Sequence, residues 1–345
     1  MNVLLIPAYQ PTEALPALVK ACQEKGLGPI VVVNDGSDAR KRPIFDALKA
    51  LGCTVAEHKS NQGKGAALKT GLRTVEKDFP EASAVITADA DGQHLSEDIQ
   101  KIAFLLETHS AVLGVRDFRT RNVPFRSRFG NRLSTLFFRL LTGMSCPDTQ
   151  TGLRGFAKEY FPLLLSCEGE RYEYEMNVLI ELADRKVPLY YTPIETVYSK
   201  GNASSHFRPL RDSLRIYRNS LRFVLSSLSC SVVDLSIFSL SHLLLGDLIY
   251  NILLSTVIAR LISGTANFTI NKKWSFSSKG KAKKEFVRYC VLFFAQMFSS
   301  YLLVQLLSVL PLPAPLWKIP VDCLLFLLSF FIQRRWVYRK EEIDA

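Results

Sequence analysis

The sequence predicts an α/β domain with a mostly parallel sheet, followed by an all-α membrane domain of four helices. Three observations carry this expectation. Short apolar runs alternate with helical patterns over residues 1 to about 210, which implies βαβ units. Two of those runs end in acidic turns, Asn34-Asp35-Gly36-Ser37 and Asp89-Ala90-Asp91-Gly92, as at a ligand site on the carboxyl edge of an open sheet. Beyond Leu221 come four apolar segments, each long enough to span a hydrocarbon core of about 30 Å.

In chain order, strands are expected at 3–6, 30–34, 53–57, 84–88 and 111–115. Helices are expected near 13–25, 40–51, 64–77 and 96–107. In an extended segment, Asp89 and Asp91 would share one face. Two hard oxygen donors there suit Mg²⁺ or Mn²⁺ bridging to a diphosphate. Asn61-Gln62-Gly63-Lys64-Gly65 reads as a turn opening a helix, able to offer backbone N–H groups and Lys64 to phosphate. After the fifth strand the chain is arginine-dense (Arg116, Arg119, Arg121, Arg126, Arg128, Arg132), on the presumed ligand side. Pro147-Asp148-Thr149-Gln150-Thr151-Gly152-Leu153-Arg154-Gly155-Phe156 reads as a turn-rich segment entering a helix. The acids of Glu170–Glu175 read as catalytic candidates or as a helix N-terminal bias.

The formal charge of +11 sits largely beside the apolar segments, which points to a membrane surface and not to nucleic acid. Seven scattered cysteines, with no Cys-x-x-Cys pair, fit a reduced compartment. The first residues lack a basic region before a short apolar run, so they read as a strand and not as a signal peptide.

The membrane helices are expected near 221–244, 248–270, 287–310 and 317–337. Loop 271–286 and the tail after 333 are rich in Lys and Arg, whereas the other two connections are nearly free of them. The positive-inside rule then places both termini and the soluble domain in the cytosol, with the chain multi-pass in the plasma membrane. Residues 209–220 read as an interfacial helix, with Arg211, Arg215 and Arg218 on one face. Asn271-Lys272-Lys273-Trp274 and Gln333-Arg334-Arg335-Trp336 close two similar hairpins, a tandem repeat. Asp234, Arg260 and Asp322 fall at about the same depth near the midplane. They read as a membrane polar site or as a structural pair.

Pro7-Ala8-Tyr9, Asn34–Ser37, Asn61–Gly65, Asp89–His94 and Asp148–Phe156, in this order, resemble the family 2 glycosyltransferases of GT-A fold, a Rossmann-like architecture. The branch they resemble is the dolichol-phosphate-mannose-synthase-like one. Residues 220–340 resemble the GtrA-like four-span proteins. The resemblance implies a division into a catalytic domain (1–208), an interfacial helix (209–220) and a membrane domain (221–340).

It also implies roles. Asp89, Asp91 and Gln93 form the shell of Mg²⁺ or Mn²⁺. Pro7, Tyr9, Glu13 and Asp35 form the nucleoside pocket, with Asp35 accepting from a base N–H; Lys64 and Asp89 complete the nucleotide site. Arg116 and Arg126 hold the acceptor phosphate, a basic role that extends to Lys200 or Arg208. Asp148 joins Asp89, Asp91, Arg116 and Arg126 as a catalytic residue. The expected reaction is inverting transfer of glucose, mannose or N-acetylglucosamine from a nucleotide-diphosphate sugar to polyprenyl (undecaprenyl) phosphate. That acceptor is already anionic, so no dedicated base is needed and Glu173 and Glu175 stay candidates. The membrane domain would anchor the enzyme and aid flipping. Alternatives are a transporter of lipid-linked sugar with a regulatory soluble half, a processive polysaccharide synthase or a nucleotidyltransferase. The sequence leaves a homo-oligomer open.

Overall fold

The computed structural model describes residues 1–118, 125–195, 218–246, 250–278, 280–307, 309 and 314–338. Chain contacts divide the protein into two units, Met1–Ile216 and Tyr217–Ala345.

The first unit is built on a seven-stranded sheet of order β3-β2-β1-β4-β6-β5-β7. Its strands are β1 (Asn2–Ala8), β2 (Ile30–Asn34), β3 (Thr54–Glu57), β4 (Ala84–Thr87), β5 (Ala111–Arg116), β6 (Arg154–Ala157) and β7 (Tyr190–Ile194). Pairing is parallel except at β6, which runs antiparallel to both β4 and β5. The helices are α1 (Ala14–Glu24), α2 (Arg42–Ala50), α3 (Lys64–Asp78), α4 (Ser96–Leu105), α5 (Phe125–Thr142), α6 (Phe161–Ser166) and α7 (Glu173–Asp184).

Alternate residues of the central strands feed two cores. Val3, Leu5, Val31, Val33 and Val85 face α3, α6 and α7. Leu4, Ile6, Ile30, Val32 and Ile86 face α1, α2 and α4. A sheet covered on both faces needs such continuous apolar runs, which is why these strands were legible. Gly71 lets α3 lie close on β1, since a Cβ there would stand 2.1 Å from Leu5 Cδ1.

Two expectations change. Residues 147–156 are expected to be turn-rich and to enter a helix, but from Arg154 the chain forms β6, wedged between β4 and β5. Four residues are too few to display a period. No secondary-structure element is expected within the arginine-dense run, yet from Phe125 it is an 18-residue helix.

The second unit is helical: α8 (Arg218–Leu245), α9 (Asn251–Ile270), α10 (Ala282–Leu307) and α11 (Ala314–Ile332). Among the described residues, two stretches are long and apolar enough to cross a membrane, Leu221–Leu245 and Ala282–Leu307. The fourth expected span was drawn to residue 337, but α11 ends at Ile332 and a π-helical turn, Gln333–Val337, follows. A π-helical turn, Asn271–Ser275, ends α9 in the same way.

The two hairpins repeat their contacts. Arg222 donates to the Trp274 carbonyl at 3.4 Å, and Arg288 to the Trp336 carbonyl at 3.0 Å. The buried Asn271 amide joins the hairpins, donating to Gln333 Oε1 at 3.3 Å and accepting from Ser226 Oγ at 2.5 Å. Of the expected midplane charges, Arg260 Nη1 lies 3.7 Å from Asp234 Oδ2, and Asp234 Oδ1 accepts from Ser263 at 2.7 Å. Asp322 accepts from Ser300 Oγ at 2.5 Å.

Candidate active site

The site lies at the carboxyl edge of β1, β2 and β4. Here β4 ends at Thr87, so Asp89 and Asp91 sit in a turn and strand alternation does not orient them. Gly92, at φ +76°, makes that turn and passes tightly against Ala14. Asp91 Oδ1 accepts the Gln93 N–H at 3.0 Å, so the turn is closed by one of its own carboxylates.

Lys64 is the first residue of α3, and its ammonium reaches two carboxylates at once. It is 2.6 Å from Asp89 Oδ1 and 2.9 Å from Glu175 Oε1, the latter in the first turn of α7. The buried His94 places Nε2 3.4 Å from Asp89 Oδ2. Burial opposes ionisation of Asp89, but Lys64 and His94 outweigh it and hold the carboxyl well below its ordinary range. Burial and the Asp89 charge together push Asp91 up, against the Gln93 hydrogen bond. Burial likewise opposes the Lys64 charge, and the two carboxylates raise its pKa in spite of it.

Asp35 is buried, and its carboxylate is turned onto the loop that opens α3. Oδ1 accepts from Gln62 N and Oδ2 from Gly63 N, each at 2.8 Å, and His58 Nδ1 lies 2.7 Å from Oδ1. His58 Nε2 is held in turn by Thr70 Oγ1 at 2.9 Å. The second acidic turn therefore shapes the glycine loop that delivers Lys64. Pro7 lies one residue before the end of β1, beside Val33 of β2; Tyr9 is exposed just beyond the strand, and Glu13 is exposed before α1.

Arg116, at the end of β5, grips Asp148 with Nε at 2.6 Å and Nη2 at 2.9 Å; Asp148 is fully buried. Among the described residues Arg116 and Asp148 pair with each other, at the end of β5 and in the loop before β6, and not with Asp89 or Lys64. The Arg126 side chain, Lys200, Arg208 and residues 209–217 of the expected interfacial helix lie outside the described residues.

Sequence reading assigned no role to His94, Gly152 or Arg154. Arg154 is buried and donates to the carbonyls of Thr151 at 2.8 Å, Glu175 at 2.7 Å and Thr149 at 3.2 Å, tying the Asp148 turn to α7. Gly152 leaves room for Asp89: a Cβ there would stand 2.3 Å from Asp89 Oδ2. Gly152→Ala is expected to push the carboxylate off Lys64 and lower kcat by about 100-fold, the scale of a 1 Å misplacement. The accompanying overpacking costs about 1–3 kcal/mol. Steady-state kinetics beside a thermal melt read both.

Among the described residues no three Asp, Glu, His or Cys side chains stand close enough to hold a metal by themselves. Asp89, Asp91 and the Gln93 amide are nevertheless hard oxygen donors. Mg²⁺ characteristically binds through one or two carboxylates plus substrate phosphates, so the donor set fits such an ion.

Fold and site define an α/β enzyme scaffold with a carboxylate centre at its sheet edge, joined to a helical membrane domain. Residues 3–162 match glycosyl transferase family 2, and residues 222–338 match the GtrA/DPMS transmembrane domain. An uncharacterized protein of Methanocaldococcus jannaschii is 30% identical over 58% of this chain and 83% of its own length. A UDP-N-acetylglucosamine–dolichyl-phosphate N-acetylglucosaminyltransferase of Methanococcus voltae is 28% identical over 57% of this chain and 86% of its own. An undecaprenyl-phosphate 4-deoxy-4-formamido-L-arabinose transferase of Pseudomonas syringae pv. syringae is 24% identical over 76% of this chain and 75% of its own. The chain belongs to glycosyl transferase family 2 and is a membrane glycosyltransferase with a GtrA-like domain, the family its motifs led us to expect.

Proposed function

We propose that the protein transfers a sugar from a nucleotide-diphosphate sugar to polyprenyl phosphate at the cytosolic membrane face, with inversion at the anomeric carbon. The observation that carries this reading is the Lys64–Asp89–Glu175 cluster at the sheet edge of a chain that continues into a membrane domain. Transferases of lipid phosphates among its relatives support it.

In this reading Pro7, Tyr9 and Glu13 line the nucleoside side, and Asp35 holds the Gly63 loop in place for it, in addition to or instead of meeting the base. Lys64 presents a fixed cation to the diphosphate. Asp89, Asp91 and Gln93 hold Mg²⁺ or Mn²⁺, which when bound supplies charge neutralisation for the leaving nucleoside diphosphate. Arg116, oriented by Asp148, and Arg126 position the acceptor phosphate, joined by Lys200 or Arg208. A phosphate acceptor is already a nucleophilic anion, so positioning and partial neutralisation suffice without a base. The membrane domain crosses four times with both termini in the cytosol, anchors the catalytic unit at its lipid substrate, and uses Asp234, Arg260 and Asp322 on the lipid-linked product.

The test is to incubate membranes bearing the protein with radiolabelled nucleotide sugars, polyprenyl phosphate and Mg²⁺ or Mn²⁺. Label is expected in the chloroform phase with one or a few sugars, dependent on acceptor and cation. Label confined to polymer or to water-soluble product would overturn the reading.

A further inference from the structure

Three elements meet at one buried imidazole. His58 follows the last residue of β3, and its N–H extends the ladder by donating to the Asn34 carbonyl of β2 at 2.9 Å. Its side chain is 7% exposed and that of Asp35 4%. The Asp35 carboxylate is an acceptor, so ring Nδ1 carries the hydrogen that meets Oδ1 at 2.7 Å. Nε2 faces the Thr70 hydroxyl at 2.9 Å. Thr70 and Lys64 share helix α3, about 9 Å apart along its axis.

A carboxylate offers about four acceptor positions. Among the described residues, His58 Nδ1 and Gln62 N fill Oδ1 of Asp35, and Gly63 N takes one position on Oδ2. The backbone donors belong to the loop that ends at Lys64, so they follow the carboxylate and cannot aim it. His58 is the donor that stands outside that loop, anchored to β2 by its backbone and to α3 by its ring. The two turns are also packed together: a Cβ on Gly36 would stand 2.2 Å from the Ser60 carbonyl carbon. A rotation of Asp35 therefore carries the glycine loop with it, and the Lys64 ammonium beyond.

We propose that His58 is a positioning residue for the donor nucleotide: pinned between Asn34 and Thr70, it aims the Asp35 carboxylate and so sets the Gln62–Gly63 turn that presents Lys64 to the diphosphate. The inference rests on the nucleotide-diphosphate donor proposed above. A buried network of this kind holds one geometry when every member is satisfied. The rival is a plain structural pin, in which His58 only ties the end of β3 to α3. The two differ in which half of the ring matters. Positioning needs Nδ1, the half on Asp35, whereas a pin needs Nε2, the half on Thr70.

Asparagine and glutamine separate the halves. His58→Asn sets an amide N–H near the Nδ1 place and forgoes Thr70; His58→Gln sets it near the Nε2 place and forgoes Asp35. The full chain in detergent micelles is titrated calorimetrically with UDP, GDP, CDP and dTDP in the presence of Mn²⁺. The wild type is expected to bind at least one of them. His58→Gln should weaken that binding about 10-fold or more, the worth of one hydrogen bond to a charged group. It should raise the donor KM by the same factor and leave the acceptor KM unchanged. His58→Asn should stay within about 3-fold of the wild type on both counts. Thr70→Val, which keeps the ring on Asp35, should do the same and serves if His58→Asn does not fold. A second readout needs no nucleotide. Lys59 is exposed beside the ring, and tryptic cleavage after it, followed by mass spectrometry, should speed up in His58→Gln and not in His58→Asn. Equal losses in the two His58 variants, a loss in Thr70→Val as large as in His58→Gln, or unchanged binding throughout would overturn the proposal and leave a pin. A wild-type chain that binds none of the four nucleotides would overturn the donor reading, and this role with it.

Discussion

Asp91→Asn is expected to abolish sugar transfer, by about 10³-fold or more, while leaving folding and membrane insertion intact. The amide removes one of two hard anionic donors from the turn. Charge stabilisation of a leaving diphosphate is worth several kcal/mol, and about 4 kcal/mol is already about 10³-fold. The stability effect has the opposite sign. Burial and the neighbouring Asp89 raise the Asp91 pKa, so the folded protein binds its proton more readily than the unfolded chain does. A raised acid makes stability fall as pH climbs past the unfolded value, until Asp91 is fully ionised in the folded state. Above that window the ionised Asp91 is a net liability to the cation-free protein, which asparagine relieves. The variant should therefore melt no lower than the parent at neutral pH without metal, and gain less from added Mn²⁺. Wild-type Mn²⁺ binding should weaken as pH falls toward the raised pKa, because proton and cation compete for the same oxygens. Near-normal turnover of the variant with Mn²⁺ present would sink the metal assignment.

Arg116→Ala is expected to destabilise the catalytic unit by about 3–5 kcal/mol, because it leaves a fully buried carboxylate uncompensated. The Asp148 side chain would keep only backbone donors, from residue 116 and from Gln150. Arg116→Met combined with Asp148→Leu removes both charges and should recover most of that loss, since a buried pair is often neutral against apolar replacements. Activity separates a binding role from a structural one. If Arg116 holds the acceptor phosphate, the stable double variant remains inactive or shows an acceptor KM raised by about 10-fold or more, the worth of a charge-assisted bond. A double variant with restored stability and normal acceptor KM would make the pair purely structural. Chemical denaturation and acceptor titration on the same preparations read the two quantities.

Much of this protein is written locally. The apolar runs at Val3–Ile6, Ile30–Val33 and Ala84–Ile86 are continuous because a sheet covered on both faces buries every residue, and continuity is visible without a structure. The alternating helices and the hydrophobic segments beyond Leu221 are legible for the same reason: period and length are properties of neighbours in the chain. The acidic turns and the glycine loop could be recognised as motifs. Their partnerships could not. Lys64 meets Asp89 and Glu175 across gaps of 25 and 111 residues. Asp35 spends its lone pairs on the backbone of Gln62 and Gly63, which no spacing rule announces. The four residues of β6 acquire strand character only from β4 and β5 on either side. Helix α5 shows no clear apolar period because its buried side mixes Asn131 and Ser134 with Phe138 and Leu141; only the packed domain shows which side of it meets the core. Sequence writes what each segment prefers, whereas a charge pair, an inserted strand or a buried helix face is a relation between distant segments and exists only once the chain has closed on itself.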